Sequence, residues 1–251
     1  MDFILYALPV LSILFLATLV RSTFGFGEAL IAMPLLAIMV DLKTATPLVA
    51  IIASTITITI LVTSWRDVQF KSTWRLVISS FAGIPLGLLL LKGTYDATLK
   101  IVLAVVIIAF SIYSLRKPKI RQLRGEKLSY FFGFVAGILG GAYNTAGPPV
   151  VIYGYLKRWP PESFRATLQG YFLPIWIVIS LSHGMAGFWT RSIWQLYIMS
   201  LPLIFLAFLI GSRLNKSMPE KKFTRYIHIL LVLIGIFLLV RTVPKLFGFN
   251  A

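Results

Sequence analysis

The sequence predicts an all-α polytopic membrane protein made of two inverted repeats, each a re-entrant or broken helical hairpin followed by three spanning helices. Three observations support this fold class. The 251 residues have a mean hydropathy of +0.88, with 58% hydrophobic and only 13% charged residues. A soluble globule of that size could not hide so much apolar surface. Full apolar runs recur at the roughly 20-residue length that a helix rising about 1.5 Å per residue needs to cross a hydrocarbon layer about 30 Å thick. Two further apolar stretches are interrupted by glycine-rich breaks, and they occupy corresponding places in the two halves of the chain.

Residues 3–40 are apolar but broken at Arg21-Ser22-Thr23-Phe24-Gly25-Phe26-Gly27-Glu28. This stretch is too long for one span and long enough for a hairpin. It opens on Asp2 and runs into Arg21-Ser22-Thr23 without a basic start or a small-residue cleavage site, so it reads as a retained membrane segment. Spans follow near 46–64, 74–91 and 98–115. A basic linker, 116–127, contains Arg116, Lys117, Lys119, Arg121, Arg124 and Lys127. Residues 128–157 are interrupted over Gly140-Gly141-Ala142-Tyr143-Asn144-Thr145-Ala146-Gly147-Pro148-Pro149, leaving arms of about 13 residues, or about 20 Å each. Spans near 166–186, 193–212 and 225–243 complete the second half, and 244–251 form a short tail.

Charge placement orients this layout. Lys and Arg number 24 against 8 Asp and Glu, a formal charge of +16, which on a soluble domain would suggest nucleic acid. Here the basic residues lie outside the apolar runs. The linker and a second loop with Arg213, Lys216, Lys221, Lys222 and Arg225 belong on the cytoplasmic side. Treating 128–157 as a hairpin that returns to its own side keeps both loops there and puts both termini outside. The charge therefore reports orientation and contact with anionic lipid, with no nucleic-acid partner. Residues 1–115 and 128–243 then have the same element order in opposite orientations. Two sequence echoes support duplication: Lys43-Thr44-Ala45-Thr46 with Phe164-Arg165-Ala166-Thr167, and Lys71-Ser72-Thr73-Trp74 with Arg191-Ser192-Ile193-Trp194.

Inverted repeats with discontinuous helices are the build of secondary transporters, whose solute site lies near the midplane where the halves meet. Unpaired backbone in a bilayer costs several kcal/mol per group unless it lines a wet cavity or faces protein. Gly25 and Gly27 precede a helix starting at about Glu28, and Gly140, Gly141, Asn144 and Thr145 precede one starting near Ala146 to Pro149. Each break thus presents a helix N-terminus, whose free N–H groups and dipole favour an anion. Pro148 and Pro149 suit a first helical turn. Among the eight acids, Glu28 alone lies within a hydrophobic arm. It is either a proton-coupling or gating carboxyl, or a helix-start acid that compensates the dipole or pairs with Arg21. Asn144 and Thr145 are candidates for oxyanion contact, or for capping the following helix. Gln169 faces either the cavity or a neighbouring helix.

Other polar and small residues are assigned to packing. Ser54, Thr55, Thr57 and Thr59 bond back to their own helix. Gly133, Gly137 and Gly141, with Gly83 and Gly87, allow close helix approach. His183 is placed at a solvated outer interface, and Trp65, Trp159 and Trp189 are placed as interface anchors. Cysteine is absent, the two histidines form no metal pair, and no cofactor is implied.

Phe24-Gly25-Phe26-Gly27-Glu28-Ala29-Leu30-Ile31-Ala32-Met33-Pro34-Leu35-Leu36, followed by Leu139-Gly140-Gly141-Ala142-Tyr143-Asn144-Thr145-Ala146-Gly147-Pro148-Pro149-Val150-Val151-Ile152-Tyr153, resembles the paired motifs of the sulfite exporter TauE/SafE family of membrane permeases. The resemblance runs from about residue 10 to 240. It implies a bacterial-type inner-membrane transporter of small sulfur-containing anions such as sulfite, sulfoacetate or related sulfonates. It carries a site role onto Gly25, Gly27, Pro34, Gly140, Gly141, Gly147 and Pro148. Many members have a third glycine where this chain has Glu28, which bears on substrate or coupling ion. The resulting expectation is a permease for a small anionic solute working by alternating access, with Glu28 as the candidate for proton coupling. The alternative is a membrane assembly or partner protein without transport activity. The sequence leaves homo-oligomerisation open.

Overall fold

The computed structural model describes residues 2–246 except 65, 67, 69, 94, 117–121, 124 and 218–219; side chains at 2–6, 63–64, 72, 161–163, 216–217, 220–224, 226 and 245–246 are not described. Trp65, Lys117, Lys119, Arg121, Arg124 and the tail from 247 therefore lie outside the described residues.

The described chain is helical throughout: α1 (Asp2–Phe24), α2 (Glu28–Met39), α3 (Leu42–Ser64), α4 (Phe70–Gly93), α5 (Asp96–Arg116), α6 (Lys127–Tyr143), α7 (Gly147–Lys157), α8 (Pro161–Met185), α9 (Arg191–Ser217) and α10 (Glu220–Leu246). Among the described residues, α1, α3, α4, α5, α8, α9 and α10 are long and apolar enough to cross a membrane. With the apolar side chains that the outer helices expose, such as Leu89, Val105, Leu209 and Val240, this is a multi-pass membrane protein. The expected six full spans are all present, each extended by a few residues.

The first interrupted segment breaks where the sequence places it, between Phe24 and Glu28, and the second differs from the expected pair of short arms. The first comprises a 23-residue α1 and a 12-residue α2, so its leading arm alone is span-length. The second divides into 17 and 11 residues rather than two arms of about 13. The physical reason is that Gly140 and Gly141 do not break a helix. Gly133, Gly137 and Gly141 lie on one face of α6 and rest directly on the α4 backbone. A Cβ at Gly137 would stand 2.8 Å from Ser80 Cα, and one at Gly141 2.5 Å from Ile84 O. Reciprocally, a Cβ at Gly83 or Gly87 of α4 would strike the α6 carbonyls of Phe134 or Ile138. Ser80 Oγ donates across this seam to Gly133 O at 2.7 Å. Held against α4 in this way, α6 continues to Tyr143 and ends only where Asn144 turns left-handed (φ 54°). Asparagine is among the few residues other than glycine that tolerate that turn.

α3 and α8 pack against each other at the centre of the bundle and are the most buried full spans, whereas α9 and α10 are the most exposed. Around this pair, α4 packs on α6, α1 on α9, and α5 on α10, with α4 also touching α8 and α3 touching α9. Exchanging the first five helices for the last five maps each of these contacts onto another in the set or onto itself.

Candidate functional site

The two breaks meet inside the bundle. α1 ends where Gly25 (φ 83°) and Gly27 (φ 100°) adopt left-handed backbone that side chains rarely allow, and α2 starts at Glu28. α6 ends at Asn144, and α7 starts at Gly147 with Pro148 in its first turn. Gly27, Glu28, Asn144, Thr145, Gly147 and Pro148 line one cavity of about 20 Å³, walled by Arg21, Ala53, Phe172 and Trp176. That volume holds about one water molecule. The N-termini of α2 and α7 therefore face a common, nearly closed space.

Arg21 organises one side of it. Its Nη1 donates to Glu28 Oε2 at 2.5 Å, and both side chains are 3% exposed. Its Nη2 donates to Thr57 Oγ1 on α3 and, at 3.1 Å, to Gln169 Oε1 on α8. The guanidinium also lies 5.8 Å from the Phe172 ring centre. Gln169 Nε2 donates in turn to Gly25 O, so the same amide holds the arginine and the break. One cation thus links α1, α2, α3 and α8. Glu28 Oε1 and Arg21 Nε have no partner among the described residues. A desolvated ion pair with unfilled hydrogen-bonding capacity is costly to build and to break.

The opposite side is neutral. Asn144 Nδ2 donates to Thr46 O at 2.5 Å, tying the second break to the first turns of α3. Its Oδ1 remains unpartnered, as does the indole Nε1–H of Trp176, whose ring stacks on Phe172 with centres 5.4 Å apart. Thr145 Oγ1 turns back to Tyr143 O at 2.9 Å. Because Pro148 and Pro149 lack N–H groups, α7 contributes its dipole and few donors, whereas α2 contributes both.

Below this cavity, and sharing Phe26, Gly27 and Leu30 with it, opens a vestibule of about 470 Å³ lined by Arg158, Arg165, Asn215 and an aromatic wall that includes Tyr155 and Phe164. It lies at the end of the bundle where α7 and α9 finish and α8 and α10 begin. Glu126 braces that end. It pairs with Lys157 Nζ at 2.7 Å and Arg75 Nη1 at 3.3 Å, and accepts from Tyr153 OH at 3.2 Å. The Lys157 hydrogen bond, assisted by the other two groups, holds its carboxyl below the usual carboxylate range.

The model of the family described as "Sulfite exporter TauE/SafE" matches residues 10–238. The chain belongs to the sulfite exporter TauE/SafE family. It is also similar to the probable sulfite/organosulfonate exporter TauE of Cupriavidus necator, 24% identical over 148 residues, which are 56% of this chain and 58% of that protein. The chain thus aligns with little more than half the length of this curated relative. No solved structure matches it.

Of the TauE/SafE motif residues, Gly27, Gly147 and Pro148 reach the cavity, and Gly25 sits at its edge, bonded to Gln169. Three do not. Gly141 faces α4, Gly140 lies under Ile179 and Ala146, and Pro34 is buried within α2. The expected back-bonding of Ser54, Thr55, Thr57 and Thr59 is present, but Thr57 also receives Arg21. His183 is fully buried rather than solvated, because its ring turns inward to α6, 3.2 Å from Gly141 O, and packs against Phe188. Trp159 is likewise buried between Tyr153 and Phe164 and is not an interface anchor. Trp176, Arg165 and Asn215 escaped the sequence reading. Arg165 enters the sequence reading only within the Phe164-Arg165-Ala166-Thr167 echo, and Asn215 lies beyond the expected end of its span.

Proposed function

We propose that this protein is a secondary transporter of a small, sulfur-containing oxyanion, working by alternating access across a bacterial-type inner membrane with the vestibule end cytoplasmic. The observation that carries the reading is the convergence of two helix N-termini and the buried Arg21 on one cavity. The two termini supply positive potential, Arg21 supplies a guanidinium whose charge is freed when Glu28 leaves it, and Asn144 and Trp176 supply neutral polar groups around the same space. A cavity with room for one water cannot admit sulfite. Entry therefore requires the α1–α2 and α6–α7 hairpins to part, and the exchange-related helix contacts support two inverted repeats that rock against each other.

Glu28 is the coupling group in this mechanism. Arg21 is neutralised as long as Glu28 holds it. An incoming oxyanion takes Glu28's place on Nη1, and Glu28 binds a proton as it is displaced. The anion and the proton then move together, and expulsion of the anion lets Glu28 release its proton and close again on Arg21. The name of the Cupriavidus necator relative supports sulfite and organosulfonates as the first solutes to try.

The test is counterflow of labelled sulfite and sulfoacetate into proteoliposomes containing the purified protein. Protein-dependent exchange of at least one of these, abolished in Arg21→Met, is the expected result. Absence of flux across a broad panel of small anions would overturn the reading.

A further inference from the structure

We infer that Arg165 forms a second anion-binding subsite, an inner docking point that receives the oxyanion in the vestibule before it reaches Arg21. The inference rests on the transport reading above and adds a site to it.

Arg165 sits in the first turns of α8 and lines the vestibule beside the break at Gly25. Its Nη1 donates to Asn215 Oδ1 at 2.6 Å, and its Nη2 donates to Ser22 O at 2.8 Å. Both acceptors are neutral, its Nε is buried without a partner, and no carboxylate pairs with it among the described residues. This contrasts with Arg21, whose charge is cancelled by Glu28. Around the break itself, Arg21 and Arg165 face one described carboxylate, Glu28, so the uncancelled charge there is that of Arg165, and Arg158 adds a second guanidinium to the vestibule lining.

Capping alone does not require this charge. Arg165 and Asn215 do satisfy the last carbonyls of α1, since Asn215 Nδ2 donates to Thr23 O at 2.5 Å. Any neutral donor would do that, without the desolvation a guanidinium incurs. The 470 Å³ in front of Arg165 is ample for an oxyanion, with aromatic faces beside it for a short organic body.

Position makes the subsite a gate as well. The Arg165 stem lies against Gly25, where a Cβ would stand 2.5 Å from Arg165 Cγ and 3.2 Å from its Cδ. The absence of a side chain at Gly25 allows the arginine to lie over the break. An anion drawn onto the guanidinium competes with Ser22 O and Asn215, lifts the side chain from Gly25, and opens the way to Gly27 and the α2 N-terminus.

The experiment is calorimetric titration of sulfite, and separately of sulfoacetate, into the full-length protein in neutral detergent, with a melting curve for each preparation. Arg165→Gln is expected to weaken binding at least tenfold. Asn215→Asp, which keeps a hydrogen bond to Arg165 while cancelling its charge, is expected to do the same, and Arg165→Lys to stay within about threefold of wild type. An arginine that only caps α1 would lower the melting temperature in Arg165→Gln and leave the dissociation constant unchanged, and that result would overturn the inference while leaving the transport reading intact. Displacement of sulfite by phosphatidylglycerol micelles would also overturn it, by assigning the guanidinium to a lipid headgroup. Failure of the wild type to bind any of these anions would overturn both.

Discussion

Replacing Arg21 by methionine strips from Glu28 the cation it pairs with; the Glu28 side chain is 3% exposed and its Oε1 has no partner among the described residues. An orphaned carboxylate in that position escapes by binding a proton. From its ordinary value near 4.3, doing so at pH 7 costs about 3.7 kcal/mol, at about 1.36 kcal/mol per pH unit. The figure agrees with the roughly 3–5 kcal/mol lost when one partner of a buried pair is removed. For a chain of this size, about 2–4 °C of melting temperature accompanies each kcal/mol, so Arg21→Met is expected to melt roughly 7–15 °C below wild type at pH 7. Because the penalty is the cost of protonation, it grows as pH rises above the unfolded value and shrinks to about 1 kcal/mol at pH 5. Glu28→Met leaves a guanidinium that cannot lose its charge, held only by Thr57 and Gln169, and is expected to be destabilising at both pH values. The double variant, with neither charge, is expected to recover to within about 1 kcal/mol of wild type. Melting curves of the four proteins in detergent at pH 5 and pH 7 provide the assay. A wild-type melting temperature for Arg21→Met at pH 7, or a deficit that does not shrink at pH 5, would refute the pairing.

Gly137→Ala places a methyl group against Ser80 and forces α4 and α6 apart by about 1 Å, an overpacking cost of about 1–3 kcal/mol. Gly93→Ala, on the same α4 but with nothing within 4 Å, is the control, and equal melting temperatures for the two would sink the seam argument. Trp176→Phe removes the unpartnered Nε1–H together with the five-membered ring that carries it, so sulfite binding is expected to weaken severalfold with a modest fall in melting temperature from the lost packing; an unaltered dissociation constant removes Trp176 from the site. Glu126 is held below its ordinary range chiefly by the Lys157 hydrogen bond, so its stabilisation is present above the unfolded value near 4.5 and is lost as pH falls through the folded value. Glu126→Gln is expected to flatten that acid limb of the melting profile, and an unchanged limb would show that the brace contributes nothing.

The spans were legible because membrane thickness fixes a run length that composition cannot conceal. Glu28 was legible for a related reason: a single acid within an apolar arm has few uses. Gly25 and Gly27 correctly marked the first break, since both take left-handed backbone. The four-residue spacing of Gly133, Gly137 and Gly141 correctly marked a close helix contact, but counting Gly140 and Gly141 in the break as well misled, because a glycine that admits a neighbouring backbone and one that ends a helix look alike in sequence. Arg165, Asn215, Thr57 and Trp176 were illegible as site residues because their roles depend on contacts between distant helices. Arg165 reaches Ser22 across 143 positions and Arg21 reaches Gln169 across 148. Local patterns can state a residue's chemistry, but not the neighbour to which it is delivered.

The central claim is that an oxyanion replaces Glu28 on Arg21 and that Glu28 takes up a proton as it leaves. Proton movement during flux of a transported sulfonate measures this directly, because a sulfonate head carries no proton of its own near neutral pH. In proteoliposomes containing a trapped pH indicator, wild-type flux is expected to move about one proton with each anion. Glu28→Gln is expected to pass the anion without a proton signal and without the pH dependence of the wild type. Equal proton movement in the two proteins, or full pH-dependent transport by Glu28→Gln, would contradict the account.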